Sequence, residues 1–138
     1  MNEVLRQEKK YLLSYDQFRR LDHTFEQVLH PDSHNGKMGY PIRSLYFDTM
    51  QERDFYEKED GLEIRRKIRL RTYSPDSDFA MLEMKQKQGE NQKKRSLRLG
   101  REDAEALSRG EYSCLLHYTD SFAMECYGLM NMLCYRPK

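Results

Sequence analysis

Along several stretches of this chain apolar and polar side chains alternate with a period of two, and helix caps and turn residues separate those stretches. Residues 3–13 alternate charged and uncharged side chains and close on Tyr11-Leu12-Leu13, which predicts a first strand. Ser14 with Gln17 three residues on makes a capping-box start, and Phe18, Leu21, Phe25 and Val28 follow at helical spacing towards a stop near Pro31. Residues 32–39 read as a polar loop, and Ile42 to Phe47 as a strand closing on Asp48-Thr49. A short charged helix from Gln51 to Lys58 precedes the Asp60-Gly61 turn.

The longest strand pattern runs from Leu62 to Tyr73 and ends in Ser74-Pro75-Asp76 turn chemistry. Phe79 to Gln88 and Gln92 to Leu99 read as two further strands around Gly89-Glu90-Asn91, so three consecutive strands form an antiparallel meander. Arg101 to Leu107 and Asp120 to Leu133 read as helices, which makes the fold class α+β. There is no internal repeat, low-complexity segment or linker, and 138 residues suit one domain, so residues 1–138 are read as a single unit.

Parity turns these strands into faces, because successive side chains point to opposite sides. Arg65, Lys67, Arg69 and Arg71 share one parity, and Ile64, Ile68 and Leu70 the other. The next strand repeats this, with Glu83, Lys85 and Lys87 against Leu82 and Met84, and the first strand puts Arg6, Glu8 and Lys10 together. The last strand is ambiguous: Lys93 and Arg95 share one parity and Lys94, Ser96 and Arg98 the other.

A solvated sheet face explains any one such strand. It explains several less well, because like charges opposite one another on neighbouring strands repel. An anion seated on the face removes the difficulty. Arg suits phosphate through its planar fork and Lys through its compact charge, so a chain of phosphates would neutralise the whole face. Glu8 and Glu83 among the cations are candidates to hold a divalent ion with substrate phosphates, or else ion-pair partners of their neighbours.

Composition sharpens this picture. Charged residues make up 34% of the chain, yet ten Tyr and six Phe set it apart from disordered sequences. The net charge of +1 conceals a basic block: residues 61–100 hold eleven Lys or Arg against five Asp or Glu, and the rest of the chain thirteen against eighteen. Near-neutral overall charge, and aromatics that do not interleave with the basic positions, argue against nucleic acid as the polyanion. Cys114, Cys126 and Cys134 have neither disulfide nor zinc spacing and suit a reducing cytoplasm. No apolar run approaches the ~20 residues of a membrane-spanning helix, and Met1-Asn2-Glu3 opens polar, without a signal-peptide core.

His30 and His34 stand four apart, but Pro31 between them makes a helical metal pair a poor reading. Asp48-Thr49 reads as a cap for the following helix rather than as a catalytic acid. Met124, Leu129, Met130, Met132 and Leu133, with Cys126 and Cys134, read as core.

The ordered set Arg6-Gln7-Glu8-Lys9-Lys10-Tyr11, Ile42 to Thr49, Tyr56-Glu57-Lys58, Gly61 to Tyr73, Leu82-Glu83-Met84-Lys85 and Gln92-Lys93-Lys94-Arg95 resembles the VTC domain. This is the polyphosphate polymerase domain of the vacuolar transporter chaperones, within the triphosphate tunnel superfamily that includes CYTH proteins. The resemblance implies an antiparallel β tunnel, a CYTH-like barrel lined by Lys, Arg and Glu and flanked by helices. It implies transfer of the terminal phosphate of a nucleoside triphosphate onto inorganic polyphosphate with Mn²⁺ or Mg²⁺.

Carried over by position, Lys10, Lys67, Arg69, Arg71, Lys85, Lys93 and Arg95 become substrate-binding residues, with Arg69, Arg71 and Lys85 catalytic and Glu8 and Glu83 metal ligands. Family domains continue through a second set of tunnel strands, whereas this sequence stops at Arg136-Pro137-Lys138, so the expected architecture is an incomplete half-barrel. Two readings stay open: a polyphosphate polymerase or a triphosphatase of the same superfamily, and a non-catalytic phosphate-binding module. Open sheet edges also make a homo-oligomer an expected partner arrangement.

Overall fold

The computed structural model describes residues 1–34, 36 and 39–138. The chain divides into two compact units, residues 9–41 and residues 1–8 with 42–138. The smaller unit holds α1 (Tyr15–Val28). Ser14 caps it as the sequence predicts: its hydroxyl accepts from the Gln17 amide at 3.2 Å, and the Gln17 side chain accepts from the Ser14 amide at 2.9 Å. The expected loop over residues 32–39 includes Asn35, Lys37 and Met38, which lie outside the described residues.

The larger unit is built on one antiparallel sheet. Its strands are β1 (Asn2–Gln7), β2 (Arg43–Asp48), β3 (Ile64–Thr72), β4 (Phe79–Gln88), β5 (Asn91–Gly100) and β6 (Arg136–Pro137), in the order β1-β5-β4-β3-β2-β6. The two outermost strands pair on one side only, so the sheet is open rather than closed into a barrel. The meander forms as expected, and Gly89, at φ 58°, supplies the left-handed conformation its two-residue β4–β5 loop needs. The first strand is shorter than its pattern predicted, ending at Gln7, so Lys10 belongs to the smaller unit and not to the sheet.

α2 (Arg53–Glu59), α3 (Arg101–Ser108), a 3-10 turn (Ser113–His117) and α4 (Ser121–Met132) complete this unit. Ile68, Leu82, Met84 and Leu99 from the sheet are buried with Leu107, Leu115, Phe122 and Met130 from the helical segments. Each such side chain contributes about 1.5–3 kcal/mol by leaving water, which is enough to hold one face of the sheet against the helices. Met130 and Cys126 join this core, but Met124, Met132 and Cys134 are exposed, because a single helix turns only part of its circumference to the sheet.

Candidate functional site

The strand register decides which cations share a surface. Lys67 lies opposite Lys85, which lies opposite Lys94; Arg65 lies opposite Lys87; Arg69 lies opposite Glu83. Residues directly opposed across a ladder point the same way. One face therefore carries Arg65, Lys67, Arg69 and Arg71 from β3, Lys85 and Lys87 from β4, Lys94 and Arg98 from β5 and Arg6 from β1. Ser44 and Tyr46 of β2 extend it beside Arg71 and Arg69. The core-forming Ile68, Leu82 and Leu97 occupy the reverse face.

This register corrects the placement of two expected ligands. Lys93 and Arg95 stand on the reverse face, opposite Gln86 and Met84, and Lys94 and Arg98 take the positions expected of them. β5 carries cations at both parities, so only its pairing with β4 selects the face. Arg95 is 9% exposed and serves packing: its guanidinium donates to both Glu125 oxygens at 2.5 and 2.6 Å and to Gln86 Oε1 at 2.9 Å, and lies over the Phe122 ring. It ties α4 to the sheet.

At the centre of the basic face sits Glu83, 1% exposed. Arg69 Nε and a terminal nitrogen reach its Oε2 at 2.7 and 2.6 Å, and Lys94 Nζ reaches Oε1 at 2.5 Å. Burial pushes the carboxyl up, but the hydrogen bonds from Lys94 and Arg69 outweigh it and leave its pKa lowered. Arg69 also donates to the Tyr46 hydroxyl at 3.2 Å, which lowers the phenol's pKa. Glu8 lies 3.6 Å from both Lys85 and Arg6.

Arg65, Lys67, Arg71, Lys87 and Arg98 have no carboxylate within 4 Å among the described residues. Arg71 donates to Ser44 Oγ at 3.1 Å, Arg65 to the Leu62 carbonyl, and Arg98 lies over the Phe79 ring. Burial first, and then the nearby Lys58 ammonium, lower the Lys67 pKa, which is the signature of a cation lacking compensation. Like charges therefore face each other in the pairs Lys67–Lys85, Lys85–Lys94 and Arg65–Lys87 on a half-buried surface.

The carboxylates do not fit a protein-built metal centre. Both Glu83 oxygens are taken by cations, Glu8 is flanked by Lys85 and Arg6, and no group of three His, Cys, Asp or Glu side chains suited to a metal occurs among the described residues. Of the alternatives the sequence left open for these two glutamates, the ion-pair role matches the geometry. His34 Nδ1 likewise lies 3.1 Å from Asp32, in the smaller unit.

Beside the face, Asp48 acts as the expected cap. Its Oδ1 accepts from the Thr49 and Asp54 amides at 2.7 and 2.9 Å and its Oδ2 from Phe55 at 3.0 Å, so two of the three are donors that the first turn of α2 leaves open. Asp54 is 4% exposed; Tyr135 donates to its Oδ1 at 2.8 Å, while its Oδ2 has no hydrogen-bond partner among the described residues. Burial pushes the Asp54 carboxyl up to about 6.

Sequence reasoning did not name Lys94, Arg98, Tyr46 or Ser44 as site residues. Their parity in β2 and β5 is visible in the sequence, but the register that aligns it with β3 is not. A search of curated proteins found no match. The profile of the VTC domain matches residues 5–134, nearly the whole chain, and its members are in general metal-dependent and concerned with polyphosphate. A basic, uncompensated sheet face within that match is what a polyphosphate-handling domain requires, and the chain belongs to the VTC domain family.

Proposed function

We propose that this chain binds a linear run of phosphates along the basic sheet face. The observation that carries this reading is the set of uncompensated cations, Arg65, Lys67, Arg71, Lys87 and Arg98, around the Arg69–Glu83–Lys94 ion-pair cluster. Glu83 holds the Arg69 fork in place, so Arg69 meets a phosphate without first being ordered. Lys67, Lys85 and Lys94, opposed across three strands, line up cations in a row that a phosphate chain can follow.

A second reading, favoured by the family match, is transfer of the terminal phosphate of a nucleoside triphosphate onto a polyphosphate chain. Here Arg69, Arg71 and Lys85 hold the transferring group and stabilise its developing charge, with no covalent role for the protein. Lys10, in the smaller unit, stays a candidate phosphate contact on the strength of the family resemblance. ³¹P NMR of polymer formed from ATP, with Mn²⁺ or Mg²⁺ supplied, separates this reading from a pure binding module.

Binding is tested by thermal melts with tripolyphosphate at fixed ionic strength. A ligand that binds only the folded state raises the midpoint by mass action. Lys67→Gln with Arg71→Gln should abolish most of that rise, and should leave the unliganded protein as stable or slightly more stable, because like-charge repulsion falls. Arg69 is a poorer choice, since its loss strands buried Glu83. A midpoint unmoved by millimolar tripolyphosphate overturns the proposal.

A further inference from the structure

The reverse face of the sheet carries a second basic feature. Arg66, Gln86, Lys93 and Leu5 stand opposite one another in one row across β3, β4, β5 and β1. In the next row Ile64, Gln88 and Asn91 are aligned in the same way. Together with Arg53 and Glu57 of α2, and with Arg65 and Lys87 from the end of the basic face, these residues line a cavity of about 340 Å³. By parity Arg66, Gln86 and Lys93 stand on the side of the sheet away from Lys67 and Arg71, whereas Arg65 and Lys87 share the basic face.

Arg66 is half-buried and has no carboxylate within 4 Å among the described residues. Two carboxylates near it are already engaged, Glu125 through both oxygens by Arg95 and Glu57 by Arg53 at 2.7 Å, while Asp54 acts on it without an ion pair. Gln86 receives Arg95 on its Oε1, and its amide N–H₂ group has no hydrogen-bond partner among the described residues. Lys93 pairs with Glu3 and Arg53 with Glu57, and both pairs are solvent-exposed on the cation side, so an incoming anion can share either cation at little cost. The lining thus offers donors from guanidinium, side-chain amide and ammonium groups.

We propose that this cavity binds the phosphoryl group of a small molecule, separately from the phosphate chain on the opposite face. Donors arriving from several directions suit tetrahedral phosphate better than planar carboxylate. The α2 side chains and the limited volume suit a compact ligand better than a polymer. The inference does not depend on what the basic face binds. It gives Lys93 a binding role on the face where the register places it.

The test titrates pyrophosphate into the Lys67→Gln/Arg71→Gln protein, following the side-chain ¹⁵N resonances of Arg66, Gln86, Gln88 and Asn91 by NMR. Saturable shifts in these groups are expected, with at least a tenfold loss of affinity in an added Arg66→Gln change and partial recovery with Arg66→Lys. Malonate at equal ionic strength should shift them more weakly. Should Arg66→Gln fail to fold, Gln86→Leu with Asn91→Leu serves in its place and should also weaken binding. Resonances that do not move, that move as strongly with malonate, or that keep the same affinity without Arg66 overturn the proposal. Loss of tripolyphosphate binding at the basic face would leave these shifts unaffected, so the two readings fail independently.

Discussion

At the scale of single residues, Glu83 and Asp54 show how similar burial yields opposite electrostatics. Glu83 has two cations on its oxygens and a lowered pKa; the stability it contributes is present above its ordinary 4.5 and is lost as pH falls through its lower folded value. Asp54 has one hydroxyl donor, a carboxylate neighbour in Asp48 and an unpaired oxygen, so the folded protein holds its proton up to about 6 instead of 3.8. Its contribution therefore runs the other way, falling as pH rises from about 4 to about 6. Ionised at neutral pH, it costs about 3 kcal/mol. Asp54→Asn keeps an acceptor for Tyr135 and removes the charge, so it should raise stability at pH 7.5 by about 1–3 kcal/mol and flatten the pH dependence between 4 and 7. Denaturant melts across that range check it, and a variant less stable than the parent at pH 7.5 contradicts it.

At the scale of elements, α2 is held by a residue outside it. Its N-cap position, Glu52, is left-handed at φ 55° and makes no side-chain cap, and Asp48 at the end of β2 substitutes for one. Asp48→Ala should leave three buried or half-buried amides unsatisfied and cost about 2–4 kcal/mol, whereas Asp48→Asn, retaining one acceptor, should cost less. Hydrogen exchange should then speed up at Asp54 and Phe55 more than in β4. Uniform exchange changes would show that α2 does not depend on this cap. The capping role was legible from Asp48-Thr49 before a helical pattern, as was the Ser14–Gln17 box, because both are local. The face of β5 was not legible: with Lys93, Lys94 and Arg95 in succession, its side is chosen by hydrogen bonds to a strand some ten residues away.

At the scale of the whole molecule, the open sheet has two unlike edges. β6 is two residues long and includes Pro137, which has no N–H to offer, but β1 is exposed along its full length and pairs, among the described strands, with β5 alone. The chain should therefore self-associate through β1, which would extend the sheet with the basic face continuous across the pair. Light scattering over a rising concentration series should show mass growing beyond the monomer, and Leu5→Glu, which puts a charge on that edge, should reverse it. A constant monomer mass into the millimolar range contradicts this arrangement.

What the sequence by itself determined is everything carried by neighbours a few positions apart: the caps, the turns, the meander and the two-sided chemistry of β3 and β4. Those features depend on backbone geometry and alternation, which act over a few residues. Only the tertiary structure decided which cations meet, that Glu83 is consumed by Arg69 and Lys94, and that Lys93 and Arg95 turn away from the face they were expected to join. Burial and strand register are properties of residues brought together from distant positions, and a one-residue shift in register exchanges the two faces of a strand.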